Sequence, residues 1–223
     1  MKIPGPRIVM NYARRHGVPR TVARGSYVAA SRLVALSIFG CMRLAPADIN
    51  RPLAERAGVE SRFLESDELT QVEALADAWG RRRIREARRR GDRCYAIFDR
   101  GEIVNVGFYA NRPTPVVGDL LLCFRVPDWY MYGALTPPAH RGKGLHAVGV
   151  LRASLALFDE GVARMVTVHE RTHYNSMVSA LRMGWRPCGS LYRIGSGPRT
   201  RVGRSVAARR EGMMLRRLDP AAR

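Results

Sequence analysis

The sequence predicts an α/β protein of the α+β kind: a central mixed, mostly antiparallel sheet of about six to seven strands, flanked by helices, with a helical extension at the N-terminus. Three observations lead there. Two β-rich runs, Cys94 to Phe98 and Ile103 to Ala110, are joined by Asp99-Arg100-Gly101-Glu102 and read as an antiparallel hairpin. Two more apolar runs follow, over 119–126 and 129–136. The pattern then changes. A helix with Leu145, Val148, Leu151, Leu155 and Phe158 on one face separates strand 129–136 from a short strand over 163–169. Strand, helix, strand implies a parallel crossover.

Taken in order, residues 1–20 are irregular and basic, with Pro4, Pro6, Gly17 and Pro19. The longest apolar run, Tyr27 to Met42, is interrupted by Arg32 and falls short of the ~20 residues a spanning helix needs. Segment 21–46 therefore reads as a helix. It either covers the sheet or, with Arg14, Arg15, Arg20 and Arg24 before it and Arg43 after it, lies flat on an anionic bilayer. Asp48 marks a short element over 49–57. A long helix follows Ser66 and Asp67, with Leu69, Val72, Leu75, Ala78 and Trp79 on one face, and runs on through Arg81–Arg90 to Gly91. That arginine run is a solvated helix end or a docking surface for an acidic acyl-carrier protein or a membrane. Asn111-Arg112-Pro113 and Pro127-Asp128 punctuate the strands. A second helix over 174–183 stops at Gly184, Trp185 to Tyr192 forms a strand region, and a last strand falls near 213–218. The chain divides into a basic extension (1–62), a main domain (63–195) and a basic tail (196–223).

The 223 residues carry 38 basic and 19 acidic side chains, a net charge of +19, so polyanions are the natural partners. The basic residues are almost all arginine, a bias that coding-DNA composition also produces. No nucleic-acid-reading motif is present and aromatics are not interleaved with the basic runs, which argues against a nucleic-acid binder. Cys41, Cys94, Cys123 and Cys188 form no CxxC pair; they read as small buried hydrophobes in a reducing compartment, with no metal site. The first 20 residues lack the apolar core of a cleaved signal. A cytoplasmic protein is expected, with peripheral contact at the inner face of the membrane as the alternative.

One stretch carries the chemistry. Thr136 to His146 reads TPPAHRGKGLH. Pro137 and Pro138 stop the preceding strand. Arg141, Gly142, Lys143 and Gly144 then lead into a helix. The first amides of a helix have no internal partner and its dipole favours negative charge, so an anion can sit there. Glycine lets the backbone come close to a phosphate. A bare strand-to-helix turn would look the same.

From Met131 to Arg193 the sequence resembles the cofactor-binding half of the GNAT (Gcn5-related) N-acyltransferases. Their Q/R-x-x-G-x-G/A loop matches Arg141, Gly142, Lys143, Gly144, Leu145 and His146. Relatives often show N-x-x-S and, further on, Gly-Phe; in that register this chain has His173, Tyr174, Asn175, Ser176 and then Met183-Gly184-Trp185. The order of elements agrees over roughly 93–193. The resemblance implies a V-shaped splay in the sheet and an acyl-CoA co-substrate, acetyl-CoA in most relatives. Backbone amides of Gly142, Lys143, Gly144, Leu145 and His146 would meet the pyrophosphate, with Arg141 setting the loop. Leu135 and Thr136 would bind the pantetheine arm, and the helix bearing Ser176 would flank the thiol end. The acceptor would be an amine entering from the side of the N-terminal helices. A longer acyl chain placed on a lipid or glycoconjugate amine is the alternative. His146 stands where relatives carry Gly or Ala, and Ala180 where many carry the tyrosine that protonates the thiolate. Candidate bases are His169 and Glu170, at the end of strand 163–169, and Tyr132, two residues from Tyr130 on the preceding strand.

Overall fold

The apolar run from Tyr27 to Met42 breaks in two. Residues Val18–Leu33 form helix α1, and Ser37–Leu44 form strand β1. A near-continuous apolar run fits a buried helix or a buried strand equally well, so periodicity alone misassigns it. Here β1 buries both faces. Phe39 and Cys41 join one core cluster, while Met42 and Leu44 join the other. Its apolar residues are thereby removed from any bilayer contact. The computed structural model describes residue 10, residues 13–14, 17–55, 58–171, 173–195 and 199–218. Most of the irregular segment expected over 1–20 lies outside that set, as do Gly197 and Pro198.

Seven more strands join β1 in the main sheet: β2 (Glu60–Phe63), β3 (Arg93–Asp99), β4 (Glu102–Ala110), β7 (Trp129–Leu135), β8 (Met165–Glu170), β9 (Arg186–Ile194) and β10 (Arg201–Arg204). The order is β10-β9-β1-β8-β7-β4-β3-β2, so the sheet has eight strands rather than six or seven. β7 and β8 are parallel and every other pair in this sheet is antiparallel. The apolar run over 119–126 does not enter it. Leu120–Cys123 (β6) instead pairs with Thr114–Val117 (β5) and with Met214–Arg217 (β11) in a small second sheet. β1 and most of β2 thus come from the N-terminal segment before residue 63, and β10 and β11 from the segment after 195.

The remaining helices are α2 (Arg51–Ala54), α3 (Leu69–Ala74), α4 (Ala78–Arg90), α5 (Leu145–Asp159), α6 (Tyr174–Met183) and α7 (Val206–Arg210). The single long helix expected over 68–90 is two. Asp77 is the reason: its carboxylate accepts from the Gly80 amide at 2.7 Å and starts α4 afresh. α4 ends as expected at Gly91, whose φ of 68° is left-handed. The Asn50 side chain, not Asp48, caps α2. Asp48 instead pairs with Arg186. Helices α3 and α4 cover one face of the sheet, packing Leu69, Val72 and Ile84 on Val106, Tyr130 and Val166. Helices α5 and α6 cover the other, packing Leu151, Leu157 and Met183 on Met42, Met131 and Met165. Among the described residues no helix is long and apolar enough to cross a membrane.

Because β1 is central, Leu44→Ala is expected to cost about 2–5 kcal/mol, the usual range for a fully buried leucine. Val18→Ala, on the exposed start of α1, should stay within ~0.5 kcal/mol. Urea unfolding of both variants checks this; a silent Leu44→Ala would mean that β1 is not part of the core.

Candidate active site

The site begins where β7 and β8 stop pairing. Their parallel register covers only Trp129 with Met165 and Tyr130 with Val166. One step on, the Thr167 hydroxyl donates to the Met131 carbonyl at 3.0 Å. Past that point each strand turns to its other neighbour. β8 stays paired with β1 as far as Glu170, opposite Phe39. β7 stays on β4 but bulges: Tyr132 faces Phe108 and Leu135 faces Val106, leaving Gly133 and Ala134 together opposite Gly107. Gly133 takes φ 63°, and both bulge residues are exposed. The two strands thus form the V that the sequence resemblance implied.

Asn105 fixes the free end of β7. It is 3% exposed, in the middle of an otherwise apolar strand. Its amide nitrogen donates to the Leu135 carbonyl at 3.1 Å and to the Thr136 hydroxyl at 2.8 Å. Gly149 of α5 makes the room: a Cβ there would lie 2.7 Å from the Asn105 oxygen. Arg141 adds a second tie, donating from Nε to the Thr136 carbonyl at 3.0 Å. The loop beyond is shaped by Gly142 (φ 81°) and Gly144 (φ 77°), both left-handed and exposed. α5 then starts at Leu145 with no side chain capping it. Loop amides and a helix N-terminus converge there, with Arg141 and Lys143 alongside, so the place suits a phosphate.

Three histidines gather beside the other arm of the V. His169 of β8 lies near His146, in the first turn of α5, and His173, the cap residue of α6. Burial, helped by those two neighbours, pulls the His169 pKa down to about 4, and burial also lowers that of His146. Both rings are therefore neutral at pH 7. The His169 Nε2 is buried and has no hydrogen-bond partner among the described residues. Strand alternation turns Glu170 to the opposite face, with Val166 and Val168. There its Oε1 accepts from the Tyr27 hydroxyl at 3.0 Å, and its Oε2 lies 3.5 Å from His173 Nε2. The Tyr27 oxygen in turn accepts from the Ile38 amide at 3.0 Å. Helix α1 is thus tied into the site. Ser176 lies half-buried in the first turn of α6.

Tyr132 lies on this same face. Its hydroxyl donates to buried Asp92 and accepts from Arg90 at 2.8 Å. Burial and the Asp92 charge push the phenol pKa far up, so the proton stays on oxygen. A cavity of about 340 Å³ adjoins it, between the α3–α4 junction and the bulged end of β7. Asn105, Tyr27 and Asp92 were all missed in the sequence. Only Asn105 left a signal there, an amide inside the apolar strand EIVNVGFYA. Among the described residues no group of three or more His, Cys, Asp or Glu is placed to hold a metal ion.

The chain resembles a GNAT-family acetyltransferase from Novosphingobium aromaticivorans, with a TM-score of 0.50 at 17% identity over 78% of this chain and 67% of that one. That likeness is one of fold alone: the two chains share the arrangement of a large sheet flanked by helices. A GCN5-related N-acetyltransferase from Kribbella flavida gives 0.47 at 16% identity over 73% of this chain, which spans only 60% of that protein's length. An aminoglycoside N-acetyltransferase solved in complex with CoA gives 0.45 at 14% identity, over 59% of this chain and 91% of that one. No protein-family model matches the sequence, and no curated protein matches it.

The buried histidine makes stability depend on pH. Unfolded, His169 takes its proton near pH 6.5; folded, it does so only near 4. The unfolded chain therefore binds more protons between those values, and stability falls as pH drops through that window. The loss should be on the order of 3 kcal/mol for His169. Urea unfolding from pH 7 to 4 measures it, and His169→Gln is expected to flatten the dependence.

Proposed function

We propose that the protein is an N-acyltransferase that moves an acyl group from coenzyme A to an amine by direct transfer. The observation that carries this reading is the parting of β7 from β8 with the left-handed glycine loop and the start of α5 at its mouth. In this reading the pyrophosphate rests on the amides from Gly142 to His146, with Arg141 and Lys143 adding charge. The pantetheine arm runs along the free edge of β7, from Thr136 and Leu135 toward the bulge. A bulge amide polarises the thioester carbonyl, the role of an oxyanion hole. His146, half-buried in the first turn of α5, stands where relatives carry Gly or Ala.

Glu170 is the preferred base. His169, pulled down to about 4 by burial, has no advantage in basicity, and strand alternation puts it on the opposite face of β8 from Glu170. Tyr132 keeps its proton. Glu170 sits on the α3–α4 face with its carboxylate oriented by Tyr27. The acceptor ammonium first loses one proton to water; the free amine's lone pair then forms the bond to the carbonyl carbon as the nitrogen gives a second proton to Glu170. The carbon–sulfur bond breaks, and the thiolate of coenzyme A takes a proton from water, because Ala180 offers none.

Calorimetric titration with coenzyme A tests the donor half. Arg141→Ala and Gly144→Val are expected to weaken binding at least about tenfold, since each disturbs a phosphate contact or the left-handed turn. Thiol release with a panel of primary amines tests the other half. Glu170→Gln should lower kcat by about 10²–10⁴-fold and leave coenzyme A affinity unchanged. A wild-type chain that does not bind coenzyme A would overturn the whole reading; an unchanged kcat would remove Glu170 alone.

A further inference from the structure

The acyl-transfer reading leaves the cavity beside the bulge unused. Gly133, Ala134 and Leu135 of β7 form one wall, so it opens at the backbone against which the thioester carbonyl would lie. Pro137, Pro138 and Arg141 of the phosphate loop form the near rim. Phe108 and Tyr132 also line it, and Leu75 and Ala76 of the α3–α4 junction with Ile84 of α4 close the far end. We infer that this cavity holds the donor's acyl chain, and that the preferred donor carries an apolar acyl group longer than acetyl. The inference rests on the acyl-CoA reading above.

Size comes first. An acetyl group puts a single methyl beyond the carbonyl. At about 30 Å³ per water-sized group, a cavity of about 340 Å³ holds on the order of ten heavy atoms. The volume falls within the ordinary range of ligand pockets.

Charge then decides between the two substrates. The charged groups of the lining are Asp77, Arg83 and Arg141. The Asp77 carboxylate already accepts from the Gly80 amide as the cap of α4. An acceptor arriving as an ammonium would meet two guanidinium groups here, whereas an aliphatic chain would meet mainly Leu, Ile, Phe and Pro. Glu170 belongs to β8, the other arm of the V. The bond-forming carbon therefore lies between an acyl chain directed into the cavity from β7 and an amine arriving beside β8.

The test needs no acceptor. Non-hydrolysable thioether analogues of acyl-CoA, from two to fourteen carbons, are titrated into the intact protein beside coenzyme A itself. Affinity should rise about fourfold per added methylene, then level off near ten carbons. Ala76→Phe, at the far end, should bring the plateau several carbons earlier and leave coenzyme A binding unchanged. Should that variant fail to fold, the wild-type series decides alone. Affinity that is flat from acetyl onward, while coenzyme A binds normally, overturns the acyl pocket and spares the acyltransferase reading. So does tighter binding of a succinyl analogue than of its butyryl counterpart, which would assign the arginines to a carboxylate. Loss of coenzyme A binding in the wild type instead removes the underlying reading.

Discussion

A pair of parallel strands exposes its inner amides and carbonyls when it separates, and buried backbone groups do not stay unpaired. β7 and β8 share two residue pairs and then diverge, so the whole site is built around meeting that requirement. Three devices do so. The Thr167 hydroxyl takes the Met131 carbonyl at the apex. The bulge lets β7 keep its ladder with β4 while Gly133 and Ala134 turn out to solvent. Asn105 then takes the Leu135 carbonyl at the strand's free end. What stays open is a short stretch of backbone, pointed into a cleft that ends at a helix N-terminus.

The V also needs something to hold its second arm away from the first. That support is β1. It pairs with β8 from Met165 to Glu170 along one edge and with β9 along the other, antiparallel to both. Six residue pairs on one side of β8 outweigh two on the other, so β8 follows β1 and leaves β7. A segment from the start of the chain thereby sets the geometry of a cleft whose other parts lie a hundred residues later. Helix α1 reaches the same place through Tyr27, which bridges the Ile38 amide of β1 and the Glu170 carboxylate.

This long-range dependence explains what the sequence could and could not reveal. The hairpin, the glycine loop, α5, β8 and α6 were legible because their signals are local: turn glycines, apolar periodicity, a basic loop between prolines and a helix. β1 was not, since its apolar run fits helix and strand alike until its neighbours are known. The break before α4 was written in Asp77, a cap residue hidden inside a pattern that otherwise continued. β5 carries a proline and reads as a loop; it becomes a strand because β6 is there to pair with it. At the candidate site, the glycine loop declared itself through its spacing. Tyr27 did not, because no pattern links a tyrosine in an N-terminal helix to a glutamate 143 positions away.

The net charge of +19 is easily misread for the same reason. Several arginines serve as internal staples. Arg152 of α5 donates to the carbonyls of Ala54 and Val59, holding the approach to β2. Arg164 pairs with Asp128 and Glu211, joining the start of β8 to the turn before β11. Arg90 stands between Asp92 and Tyr132. Positive charge spent in this way does not recruit a polyanion. The distribution of acids is more telling than the total. No Asp or Glu occurs between Asp128 and Asp159, the stretch that forms β7, the glycine loop and α5. Arg141 and Lys143 therefore act in a local field that no neighbouring carboxylate in that stretch dilutes, at the helix end where an anion is already favoured. In the acyl-transfer reading, the field that draws a phosphate to the loop comes from where carboxylates are missing rather than from how many arginines the chain carries.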